Sequence, residues 1–134
     1  MSTGLPLALQ TPRSVVAGNS KETLTADAFR ALACAQPQAV EAGHMGKADF
    51  RVGGKIFATL DEDAGRGTLK LNPTDQATVV EISAPHAFPA SGAWGARGWT
   101  QFTLDQIDPD AMAAWMRTAW ATVAPKKLLK AQGG

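Results

Sequence analysis

From residue 47 to residue 72 the chain alternates. Ala48, Phe50 and Val52 interleave with Lys47, Asp49 and Arg51, the period of a strand with one buried face. Gly53-Gly54 then supplies two adjacent positions that tolerate positive φ, which predicts a tight hairpin. Beyond the turn, Ile56, Ala58 and Leu60 share one parity and Lys55, Phe57 and Thr59 the other. A glycine-bearing turn is expected over Asp61 to Gly67, and Thr68-Leu69-Lys70-Leu71-Asn72 resumes the alternation. The pattern predicts a meander of three antiparallel strands.

Helical spacing appears on both sides of the meander. Leu24, Ala28, Phe29, Leu32 and Ala33 form a stripe behind Thr25, a capping residue, and Pro37 helps to end that helix. Pro73 at a first helical position opens a second helix, which should run to about Ser83 before Pro85. Pro85 to Gly98 reads as a loop around Trp94, and Trp99 to Leu104 as a fourth strand. Asp108-Pro109-Asp110 starts a last helix whose Met112, Trp115, Met116, Ala119 and Val123 fall on one side, and Pro125 ends or kinks it. The order α-β-β-β-α-β-α predicts a two-layer α+β fold, an antiparallel sheet with its helices on one face.

Length and composition narrow the class. At 134 residues, 45% apolar and 19% charged, the chain suits one ordinary globular domain, expected over residues 24–131. Residues 1–23 show no period and are expected to be a tail or docking arm. Thirteen Lys and Arg against twelve Asp and Glu leave a net charge of +1, so any surface for a polyanion must be a local patch. No apolar run is long enough to span a bilayer. The single cysteine and the absence of a readable export signal point to the cytoplasm.

The run Phe50-Arg51-Val52-Gly53-Gly54-Lys55-Ile56-Phe57-Ala58-Thr59-Leu60, then Leu69-Lys70-Leu71, Gly98-Trp99 and the closing amphipathic helix, resembles the MmcQ/YjbR-like family of small bacterial proteins over about residues 25–130. The resemblance implies a compact α+β fold of CyaY-like or frataxin-like shape and a DNA-binding label. It carries no catalytic residues onto this chain, which departs from the family in its N-terminal extension and an alanine-rich first helix.

The candidate chemistry is a binding surface. Lys47, Arg51, Lys55 and Lys70 are expected on the sheet face opposite Ala48, Phe50, Val52, Leu69 and Leu71, with Phe57 among them. With Trp94 and Arg97 from the following loop, they could meet the phosphates and bases of a nucleic acid. The same pattern also describes a solvated sheet face. Trp94 either caps a core edge or stands exposed for stacking, and Trp120 could face either way. Protein interaction or self-association through the 1–23 arm or the Trp94 loop is the alternative function, and a small-molecule pocket under residues 85–98 is a third.

Catalytic and metal sites are not expected. Gly53-Gly54-Lys55 lacks the rest of a phosphate loop, with Asp49 and Ile56 at the positions that would need glycine and Ser or Thr. Cys34, in Ala-Leu-Ala-Cys-Ala, is expected to sit in the core as a small hydrophobe rather than to pair with His44 or His86 as a nucleophile. Neither the histidines nor Asp61-Glu62-Asp63 have metal-ligand spacing, and Asp105, Asp108 and Asp110 are explained by helix capping. No cofactor is implied, and the reading is of a non-enzymatic protein.

Overall fold

The structure is a computed structural model that describes residues 24–44 and 46–133; the expected 1–23 arm lies outside the described residues. Helix α1 (Ala26–Cys34) begins where expected, with the Thr25 hydroxyl accepting from the Ala28 amide at 3.0 Å. Strands β1 (Val40–His44), β2 (Lys47–Val52), β3 (Lys55–Asp61) and β4 (Arg66–Lys70) follow. Helix α2 (Pro73–Ser83) is capped by Asn72, then come β5 (Ala87–Pro89), a short α3 (Ala93–Ala96) and β6 (Trp99–Thr103). Asp108 caps α4 (Pro109–Val123), and α5 (Lys126–Gly133) closes the chain. The six strands form one antiparallel sheet in the order β1-β2-β3-β4-β6-β5.

The two-layer α+β expectation holds, and β1, β5, α3 and α5 extend it. These elements have weak sequence signals for physical reasons. Strand β1 is an edge strand whose Val40, Glu41, Ala42 and Gly43 are all exposed, so it has no apolar side to alternate. Strand β5 is three residues long and ends at Pro89 on the opposite edge, where a missing amide costs the sheet nothing.

Helices α1 and α4 cover one face of β3 and β4. The core between them holds Phe29 and Ala33 from α1, Phe50 and Val52 from β2, Leu69 from β4, Phe102 from β6, and Met112, Met116 and Ala119 from α4. Trp120 turns inward, with its indole nitrogen donating to the Pro37 carbonyl at 3.0 Å. Trp115 stacks on Phe102 with centroids 5.6 Å apart. Gly67 in β4 lets the strand close onto α1, since a Cβ there would stand 2.5 Å from Cε2 of Phe29.

The hairpin contains the main departure from simple alternation. Gly53 and Gly54 take φ of 59° and 80°, as the turn requires. Pairing runs Phe50 to Ala58 and then Arg51 to Ile56, which skips Phe57 and makes a β-bulge. Two successive residues of a bulged strand can turn toward the same side. Phe57 and Ala58 are accordingly both fully buried. Among the described residues no helix is long and apolar enough to cross a membrane.

Candidate binding face

The sheet face turned away from α1 and α4 is built by strand register. Lys47, Asp49 and Arg51 of β2, Thr59 and Asp61 of β3, Arg66, Thr68 and Lys70 of β4, and Trp99, Gln101 and Thr103 of β6 occupy its rows. Two grooves of about 790 and 300 Å³ run over it and share Ile56, Thr59, Thr68 and Gln101, so they form one continuous depression.

Each expected site residue can now be placed. Lys47 is exposed and faces Asp61 across the β2–β3 pair, Nζ to Oδ2 at 3.9 Å. Arg51 lies on the open face and grips Asp49 through two bonds of 2.8 and 3.2 Å. The hydrogen bond and charge of Asp49 push the Arg51 guanidinium above its ordinary value. Lys70 donates to the Arg97 carbonyl at 3.0 Å, which ties the end of β4 to the turn before β6.

The placement expected for Phe57 is corrected: it belongs to the core, because the bulge moves it to the helix side. The same shift separates Lys55 from the open face. It stands opposite Val52 in register, on the helix-side row, while Ile56 crosses to the open face and lines the groove.

Trp94 is the exposed aromatic of the pair of alternatives, at 59% exposure. It sits on α3, edge-on to Trp99 at a centroid distance of 5.8 Å, and lines the smaller groove with Ile56, Thr59 and Thr68. A T-shaped contact through the Trp99 ring leaves much of the Trp94 indole open to a ligand. Gln76 supports this corner from α2, donating to the Gly95 and Trp99 carbonyls at 3.0 and 3.1 Å.

Sequence reasoning missed Arg66 on this face. Its guanidinium lies 5.5 Å from the Phe88 ring centroid, within cation–π range. The signal was present, because Arg66, Thr68 and Lys70 share a parity, but the turn was expected to reach Gly67.

Away from the face, Arg30 of α1 pairs with Asp27, Glu41 and Glu62, fastening the helix to β1 and to the β3–β4 turn. Cys34 departs from the core expectation: it is exposed at the end of α1, with Sγ 3.6 Å from a Glu41 carboxylate oxygen. Partial cover by protein, the hydrogen bond to Glu41 and its charge all push the thiol up, so it is held protonated rather than activated. Among the described residues no group of three or more His, Cys, Asp or Glu is placed to hold a metal ion.

A six-stranded antiparallel sheet backed by helices on one side, with a grooved and aromatic-edged opposite face, defines a two-layer α+β domain. A family model described as YjbR matches residues 34–122, from the end of α1 almost to the end of α4, and the chain belongs to that family. The fold is similar to the crystal structure of Deinococcus radiodurans protein DR2400, whose family-model domain is DUF419. That similarity has a TM-score of 0.68 at 19% identity, covering 83% of this chain and 89% of the other. A comparison with curated proteins finds no match.

Proposed function

We propose that the protein is a non-enzymatic, cytoplasmic nucleic-acid-binding domain that takes a single strand across the open sheet face. The observation that carries this reading is Trp94, a large aromatic 59% exposed at the mouth of an apolar groove. An indole left in water beside such a groove suits stacking on a base, and base stacking tolerates any sequence. Lys70, opposite Trp99 in register and donating to the Arg97 backbone carbonyl, and the exposed Arg97 are suited to phosphates, with Arg51, Arg66 and Lys47 on other rows of the face. Single strands fit better than duplexes, because a base must leave its stack to reach Trp94. The lone free thiol suits a reducing compartment.

Fluorescence anisotropy with a labelled dT12 strand and a labelled duplex at low salt tests the proposal. The single strand is expected to bind more tightly. Trp94→Ala should weaken it by about 1–3 kcal/mol, or roughly 5- to 150-fold. No binding of either probe, or a Trp94→Ala variant that binds like the parent, rejects it.

A further inference from the structure

The net charge of +1 conceals two unlike ends of the sheet. Strands β2 and β4 run toward one end, which also receives the β2–β3 hairpin tip and the residues just before β6. Lys55, Lys70 and Arg97 lie there. Thr122 near the end of α4 donates to the Lys70 carbonyl at 3.2 Å, so α4 finishes at the same end. The hairpin tip meets the α4–α5 junction, because a Cβ on Gly53 would lie 3.1 Å from Cγ of Pro125.

Helix α5 starts from that junction. Leu128 and Leu129 pack against the core cluster, which leaves Lys126, Lys127 and Lys130 exposed. No acidic residue follows Asp110 anywhere in the chain. Lys55 and the three α5 lysines have no ion-pair partner among the described residues. By register the acids toward this end are Glu41, paired with Arg30, Asp49, paired with Arg51, and Asp75, which keeps its charge while accepting from the Asn72 side chain at 2.9 Å. The opposite end carries Asp61, Glu62 and Asp63 in the β3–β4 turn.

We infer that this end of the molecule is a polyanion contact in which Lys55, Lys126, Lys127 and Lys130 continue the grip of Lys70 and Arg97, carrying the phosphate backbone off the sheet and onto α5. The inference rests on the nucleic-acid reading above and extends it to a surface outside the sheet face. The bulge that removes Lys55 from the open face is what gives it to this one. Phosphates neutralised by these lysines release the salt ions condensed on the strand, so the contact must show itself in salt dependence. Each phosphate contact to a single strand contributes about −0.7 to the slope of log K against log salt.

The test compares full-length parent with Lys126→Ala/Lys127→Ala/Lys130→Ala by anisotropy on labelled dT12 between 0.05 and 0.3 M salt, roughly the range where counterion release dominates. The slope should become shallower by about 2, and affinity at 0.1 M salt should fall about 100-fold. The corresponding triple Lys→Arg variant, which keeps the charge, should bind like the parent. An Ala variant with the parent's slope and affinity overturns the inference and leaves the sheet-face reading standing, provided Trp94→Ala still weakens binding. A parent that does not bind dT12 overturns both. Loss of binding to phosphatidylserine vesicles, with dT12 binding unchanged, would assign the lysines to a membrane surface and also overturn the inference.

Discussion

Replacing Phe57 with alanine separates a buried ring from a surface stacking residue in one experiment. Simple alternation from Lys55 puts Phe57 beside the cations, where its loss would leave stability nearly unchanged and weaken ligand binding. The β-bulge puts it in the core with no exposed surface, in the same cluster as Phe50, Leu69 and Met116. Truncating a fully buried phenylalanine costs about 3–5 kcal/mol, from lost apolar burial together with the cavity left behind. A domain of this size has about 5–15 kcal/mol in total, so the variant should be severely weakened. At an unfolding entropy of about 2.1 cal/mol/K per residue, the melting temperature should drop by roughly 12–20 °C. Urea melts followed by tryptophan fluorescence would read this as a lower midpoint with the slope preserved. Trp94→Ala, measured alongside, should shift the midpoint little. A loss below about 1 kcal/mol for Phe57→Ala would mean that the ring is on the surface, and would refute the bulge argument.

Gly67→Ala forces a methyl into the Phe29 ring, which is itself fully buried, so it should cost about 1–3 kcal/mol by overpacking; a melt unchanged from the parent would contradict that contact, and Phe29→Leu in the same chain should recover part of the loss. Cys34 should alkylate slowly despite its exposure, because partial cover by protein disfavours the thiolate and ionising it also sets a negative charge beside the Glu41 carboxylate. Its pKa is raised, so the thiolate fraction near pH 8 lies below that of a free cysteine and the rate should climb with pH through a midpoint above the ordinary one. Iodoacetamide kinetics would show this, Glu41→Gln should move the midpoint down, and a parent reacting as fast as free cysteine at pH 8 would sink the account.

Much of the architecture was legible because local chemistry and tertiary burial agree. Thr25, Asn72 and Asp108 each precede a helix whose amide their side chain receives, and Pro73 and Pro109 stand at first helical positions. Met112, Met116 and Ala119 of α4 are buried as their spacing requires. What was hidden arises from events that leave no periodic trace. One skipped residue in β3 exchanged the sides of Ile56 and Phe57, and strict alternation cannot announce where such a skip occurs. Edge strands β1 and β5 lack an inward apolar row long enough to read.

The candidate site was legible in part for the same reasons. Arg51 and Lys70 share the open face as their parity suggests, whereas Lys55 went to the other side with the bulge. Trp94 could not be placed from sequence, since glycine and alanine neighbours fix no face. Its exposure follows from the edge-on contact with Trp99 and the short turn of α3. Lys126, Lys127 and Lys130 stand close together in the sequence after Pro125, but bringing them to the hairpin end depends on the contact between Gly53 and Pro125.

The most direct measurement is a titration of isotopically labelled protein with unlabelled dT12, followed amide by amide in nitrogen–proton correlation spectra. Saturable shifts are expected at Lys70, Trp94, Arg97 and Trp99 on the open face and at the α5 lysines beside it, with the Trp94 indole resonance moving most. Shifts confined to α1 and the β1 edge, or a spectrum that dT12 leaves unchanged, would contradict single-strand binding on this face.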